Sequence, residues 1–173
     1  MCGNSLLELS YKMTNMKKHF KQLVAFCIII VLSFFISKYY LQIILISGDS
    51  MTPTYSNNQF ALLNKHFSAQ DISQGSVIAV KISQINSIII KRVVAIPGDT
   101  IYISNHQLYI NSQPYMPTLN YSQITEDLPQ IKLGPNEFFI MGDNCNHSID
   151  SRNKDIGLIA FDNIYGIIYT SFP

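Results

Sequence analysis

Ser50 and Lys91, about forty residues apart, are the two side chains whose type and surroundings suit covalent chemistry. A serine hydroxyl is a weak nucleophile at its own pKa, and a neutral amine within hydrogen-bond reach can take its proton. Ser50 lies in the run Ser47-Gly48-Asp49-Ser50-Met51-Thr52-Pro53-Thr54. Gly48 permits a positive φ or a close backbone approach. A serine that leaves a strand at such a turn presents its hydroxyl and its amide together, and the amide is a candidate oxyanion donor. Serines in turns are common, so this run alone does not establish a nucleophile.

Three groups compete to activate that hydroxyl. Lys91 follows Ile88-Ile89-Ile90 and precedes Val93-Val94 beyond Arg92. Burial among such residues disfavours the ammonium and can lower a lysine pKa by several units, leaving a neutral amine near working pH. Arg92 falls on the opposite face of the same strand and keeps its proton in any protein setting. His147, with Asp150 or Asp143 to orient it, is a rival base for a Ser-His-Asp arrangement. From the residues alone, Lys91 and His147 both stand.

The positioning elements read as β structure. Short β-branched or apolar runs occur at Ile43 to Ile46, Phe60 to Leu63, Val77 to Ile82, Ile88 to Ile96, Phe138 to Met141 and Ile164 to Tyr169. Pro97-Gly98-Asp99 is a turn. Ile101-Tyr102-Ile103 and Leu108-Tyr109-Ile110, separated by Ser104-Asn105, read as a hairpin that turns again at Asn111-Ser112 into Pro114-Tyr115. Beyond residue 46 only Ala69 to Ser73 has room for a helical turn. Many short strands with turns between them predict an all-β domain of coiled antiparallel sheets with a barrel-like shape.

Ahead of that domain, Leu23 to Ile36 carries no charge. It is short for a membrane span, but Lys38, Tyr39 and Tyr40 can complete it at the headgroup layer. Lys12, Lys17, Lys18 and Lys21 precede it and predict an inside N-terminus. Bulky Tyr39, Tyr40 and Leu41 in place of a small-x-small site argue for an uncleaved anchor. The expected organisation is therefore a cytoplasmic segment at 1–21, a transmembrane anchor at 22–40 and an extracytoplasmic β domain at 41–173. Residues 1–16 read as polar and irregular, and Met13 and Met16 are alternative starts.

The chain has 173 residues, 47% apolar and 13% charged, with a formal net charge of +1. That balance suits one domain plus an anchor and gives no footprint for nucleic acid. Cys2, Cys27 and Cys145 form neither a disulfide framework nor a CxxC metal pattern.

Four ordered segments resemble the bacterial type I signal peptidases, membrane-bound Ser-Lys proteases. The run around Ser50 is similar to their nucleophile box, and Gln74-Gly75-Ser76-Val77-Ile78 to a weaker second box. Lys91-Arg92-Val93-Val94-Ala95-Ile96-Pro97-Gly98-Asp99 is similar to the base box. Gly142-Asp143-Asn144 with Ser148-Ile149-Asp150-Ser151-Arg152 is similar to the last box. The resemblance implies Ser50 as nucleophile, Lys91 as base, Ser148 as the hydroxyl that orients the amine, and Asp150 and Arg152 as charges bracing the site. It implies Arg92 paired with an acid such as Asp143. The substrate would be a secretory preprotein with small residues before the cut, held by the same lipid bilayer as an added strand, with Met51 and Ile90 lining its pockets. No cofactor or metal is called for, and the oligomeric state is open. Ser76 departs from the usual acid of the second box, Gly48 from a serine found there in some members, and Cys145 and Asn146 from the last box. Other readings are a conjugative-transfer peptidase of the same type acting on a pilin-like substrate, a mitochondrial inner-membrane peptidase, and a tethered β domain that binds peptides without cutting them. The SOS repressor autoproteases share the chemistry but carry a DNA-binding domain where this chain has an anchor.

Overall fold

A computed structural model describes residues 3–82, 87–115 and 126–172, with side chains in the N-terminal helix from residue 12. Two compact units divide at residue 40. The first is a single helix, α1 (Gly3–Tyr39). It begins well before the apolar run, so the polar N-terminal stretch that reads as irregular is helical from Gly3. The sequence has neither glycine nor proline from Asn4 to Ser47, so nothing interrupts propagation once the apolar segment has nucleated. Within α1, Lys12–Tyr39 is long and apolar enough to cross a membrane, with mean hydropathy 2.2 over its best window.

The second unit is β structure. Its larger sheet joins seven antiparallel strands in the order β1-β2-β11-β3-β4-β9-β10. These are β1 (Leu41–Leu45), β2 (Phe60–Asn64), β3 (Val77–Ile82), β4 (Ser87–Ala95), β9 (Glu137–Met141), β10 (Ile159–Ala160) and β11 (Ile164–Phe172). The smaller sheet orders β7 (Gln113–Pro114), β6 (Gln107–Ile110), β5 (Thr100–Ser104) and β8 (Leu128–Lys132) as β7-β6-β5-β8. The expected all-β antiparallel class holds, but neither sheet closes into a ring among the described residues.

Alternation along β4, interrupted by a register irregularity between Val93 and Ala95, distributes the core over both faces. Val93 packs with Ile78, Val80, Phe138 and Ile140, whereas Val94 and Ala95 join Ile101, Leu108 and Phe139 between the two sheets. A third cluster, with Ile46, Met51, Leu63, Val77 and Ala79, underlies the start of the turn that carries Ser50. The β5–β6 turn sits at Asn105-His106, one residue later than expected, with φ of 51° and 65° and Ser104 paired to Gln107. Two successive positive φ values match the twist of the flanking strands. Asn111 and Ser112, at 50° and 64°, make the second turn where the sequence puts it. The sequence reading lacks β8 and β10. Pro129 in β8 removes a ladder donor and is tolerated because β8 is an edge strand, and β10 is only two residues long.

Gly166 allows β11 to approach β2. A Cβ there would lie 2.6 Å from the Leu63 side chain and 2.7 Å from the Asn64 carbonyl oxygen. We expect Gly166→Ala to lower the thermal unfolding midpoint of the detergent-solubilised protein, with a loss of about 1–3 kcal/mol. An unchanged midpoint contradicts this packing.

Candidate active site

The chain leaves β1 at Leu45, buries Ile46, and turns at Gly48, where φ is +92°. The Gly48 amide donates to Asn57 Oδ1 at 3.0 Å. Ile46 N donates to Gln59 O, and Asn58 N donates back to Ile46 O, each at 2.8 Å. These bonds tie both ends of the loop, so Ser50 projects from a fixed turn. Thr52 closes that turn, with its amide and its hydroxyl both donating to Asp49 O, at 3.2 and 2.8 Å. Met51 is fully buried beneath it.

Lys91 comes from the middle of β4 and is 4% exposed. Its Nζ lies 2.7 Å from Ser50 Oγ, to which it donates, and also donates to Ile90 O at 3.0 Å. Burial holds the amine down from 10.5 to about 8, against the upward pull of Asp150 and then Asp143, with Arg152 adding to the lowering. The lone pair is therefore available near neutral to mildly alkaline pH, and once Nζ is neutral the same contact can run in reverse, with the hydroxyl donating.

The segment after β9 braces this pair. Asp143 takes two hydrogen bonds from Arg92, from Nε at 2.8 Å and Nη2 at 2.7 Å, and its carboxylate is fully buried. Arg92 also reaches Gly75 O at 2.8 Å and Thr54 Oγ1 at 3.3 Å. Arg152 binds Asp150 through Nε and Nη2, both at 2.8 Å, and Nη2 also donates to Cys145 O at 2.9 Å. Asp150 in turn accepts from the Gly142 amide at 3.0 Å. Bidentate pairs of this kind fix orientation as well as charge.

Two further residues touch the turn that carries Ser50, and the sequence reading gave them no role. Asn144 donates its amide to Ser50 O at 3.0 Å and its carboxamide to Asp49 O and Thr52 Oγ1, at 3.2 and 3.1 Å. Gly142 is packed so tightly that a Cβ would lie 2.5 Å from Ser50 O and 2.3 Å from Ser148 Oγ. The signal for both was their place in the Gly142-Asp143-Asn144 run, but their contacts span more than ninety residues of sequence.

Ser148 differs from expectation. Its hydroxyl is buried and has no hydrogen-bond partner among the described residues; the amine's second contact is the Ile90 carbonyl instead. His147 ends a one-turn helix, Cys145–His147, and is exposed. No hydrogen bond joins its ring to Ser50 or Lys91 among the described residues, so of the two rival bases the structure brings only the lysine to the serine. Cys145 is buried, and burial pushes its thiol up to about 11, which removes its thiolate at ordinary pH.

A cleft of about 440 Å³ opens beside the dyad. One wall is β1 and the turn after it, with Ile44, Ile46 and Met51; the other is Ser87 to Lys91 of β4. Met51 and Ile90 both line it. Among the described residues, β1 pairs on one side only, with β2, and β9 pairs with β4 only from Arg92 onward. Both walls therefore offer unpaired backbone groups to an extended chain.

Residues 18–172 match the protein family described as signal peptidase, peptidase S26. The chain belongs to that family. It is an enzyme of the signal peptidase class, a serine peptidase. Among its relatives, signal peptidase I S of Bacillus subtilis is 30% identical over 154 residues, covering 82% of each chain. Signal peptidase I of Bacillus amyloliquefaciens is 31% identical over 155 residues, covering 82% of this chain and 81% of that one. Signal peptidase I U of Bacillus subtilis is 31% identical over 165 residues, covering 87% and 86%. A crystal structure of a signal peptidase I from Enterococcus faecalis superposes with a TM-score of 0.49 at 22% identity, covering 57% of this chain and 97% of that one.

The Arg92–Asp143 pair is expected to matter for stability apart from any chemistry. Arg92→Leu leaves a buried carboxylate without its counter-charge, and we expect a loss of about 3–5 kcal/mol in denaturant unfolding. A loss below about 1 kcal/mol, the range of exposed pairs, contradicts the burial assigned to Asp143.

Proposed function

We propose that the chain cleaves signal peptides from exported preproteins, with Ser50 as nucleophile and Lys91 as general base. The observation that carries this reading is the 2.7 Å contact between Lys91 Nζ and Ser50 Oγ, formed by an amine that burial has brought to about 8. Neutral Lys91 accepts the Ser50 proton as Oγ attacks the scissile carbonyl. The Ser50 amide, which has no acceptor among the described residues, donates to the developing oxyanion. The ammonium then protonates the departing amine, leaving an acyl-serine. A water that gives its proton to the regenerated amine hydrolyses this ester.

The substrate lies extended in the cleft between β1 and the first half of β4 and uses their unpaired edges. Met51 and Ile90 keep the nearby pockets small and apolar, which favours alanine-sized side chains at the first and third residues before the cut. Arg92–Asp143 and Arg152–Asp150 hold the segment after β9 against the nucleophile turn. Ser148 orients the amine through a contact that this conformation does not make; its buried hydroxyl has no other hydrogen-bond partner among the described residues. The lysines ahead of the apolar part of α1 support an N-terminus on the cytoplasmic side and the β unit outside, with α1 in the lipid bilayer.

Lys91→Ala and Ser50→Ala are each expected to reduce cleavage by detergent-solubilised enzyme by at least about 10³-fold, and His147→Ala by less than about three-fold. The opposite ranking of Lys91 and His147 contradicts the assignment. A panel of unrelated preproteins tests the scope: cleavage of many after small-x-small favours the general enzyme, and cleavage of one pilin-like protein alone favours the conjugative-transfer reading. Because only the neutral amine is competent, kcat/KM is expected to rise with pH and level off above about 8. A limb centred near 6.5, the range of an unperturbed histidine, would contradict a lysine base.

A further inference from the structure

The walls of the cleft run from a far end to the dyad. On one side Gln42 lies at the far end and Ile46 near the nucleophile turn; on the other Ser87 lies far and Lys91 near. Between the two ends the lining is apolar, with Ile44, Ile46, Met51 and Ile89, but the far end also carries polar groups. Tyr165 of β11 donates its hydroxyl to Gln42 Oε1 at 2.9 Å, and both side chains line the cleft. This bond joins residues 123 positions apart, so local sequence does not create it.

Several features of the fold aim the pair. Gln42 is in register with Leu63, and Leu63 with Ile168, so Gln42 shares the cleft-side face of that cluster. The pairing of β11 with β3 slips between Ile164 and Gly166, a bulge that sits at Tyr165. Bulges re-aim side chains beside functional sites. Gly166, next in sequence, permits the close approach to β2. The Lys65 ammonium lies over the Tyr165 ring, 5.1 Å from its centre, a contact that steadies the ring. Because the phenol occupies Oε1, the Gln42 carboxamide is fixed with its N–H groups left to donate elsewhere.

We infer that Gln42 and Tyr165 form a distal subsite that selects a hydrogen-bond-accepting side chain, such as glutamine, asparagine or serine, upstream of the cut. An extended peptide advances ~3.3 Å per residue, as do the walls, so the four steps from Gln42 to Ile46 place this residue about five or six before the scissile bond. This rests on the proposed dyad and on the extended substrate, and it deepens that reading by adding a selectivity away from the reacting bond. A contact so far from the chemistry is made equally in the ground and transition states, so its signature is in KM rather than kcat.

The test uses the full-length enzyme in detergent and a preprotein with leucine at the fourth to seventh residues before the cut, together with four derivatives carrying one glutamine each. The expected result is one derivative, at the fifth or sixth position, with kcat/KM raised roughly five-fold through KM, the size of one ordinary hydrogen bond. Tyr165→Phe, which removes a single oxygen, and Gln42→Leu are each expected to bring that ratio close to one. Equal cleavage of all five substrates by the unmodified enzyme overturns the subsite, as does a preference that survives both substitutions. Ser50→Ala serves as the separate control: cleavage that persists in it overturns the dyad itself.

Discussion

Withdrawal of one amine from water is the condition on which the site depends. Lys91 enters from the middle of a strand whose neighbours are isoleucine and valine, and the resulting shift from 10.5 to about 8 means that the charged form is disfavoured by about 3 kcal/mol. Folding must cover that cost, because the unfolded chain holds the proton freely. The sign is clear: with its pKa lowered in the folded state, Lys91 opposes folding most fully below pH 8, and the penalty fades as pH rises through the interval towards 10.5. The three packed clusters around the sheets are what make such a group tolerable.

Charge placement works against that shift and must therefore be contained. Asp150 and Asp143 both pull the lysine pKa upward. Each is committed to an arginine by two short hydrogen bonds, which leaves the lysine facing ion pairs instead of bare carboxylates. The same two acids do structural work: Asp150 holds the Gly142 amide, and Asp143 connects the segment after β9 to β4 through Arg92. Asn144, from the same segment, then grips the turn that carries Ser50. A single short run thus sets the electrostatics around Lys91 and the position of the Ser50 hydroxyl.

Much of this was legible in the sequence, and the physical reason is locality. Ile88-Ile89-Ile90 ahead of Lys91 announces a strand, and the structure buries Lys91 on it although Ile88 stays exposed. Gly48 announces a turn, and the turn has the positive φ that glycine supplies. Arg92 was expected to find an acid and finds Asp143. Residues alone could not separate Lys91 from His147, since both types suit a base; the family resemblance weighed for the lysine, and the fold leaves the histidine at the surface. Contacts that depend on long-range register were hidden. Asn144 reaches a turn ninety-five residues earlier, and Tyr165 reaches Gln42 because of a bulge and a glycine on a different strand. The Ser148 hydroxyl, assigned to the amine by resemblance, packs on Gly142 instead. The polar start of α1 was misread because helix propagation from an apolar segment needs no apolar face of its own.

The most direct measurement is an NMR titration of the Lys91 side chain in the detergent-solubilised enzyme with isotope-labelled lysine, its resonance assigned by its absence in Lys91→Arg. The account predicts a midpoint near 8, set apart from the other lysines. A midpoint near 10.5 would show an amine that remains protonated at working pH, and it would contradict the claim that burial makes this lysine a base.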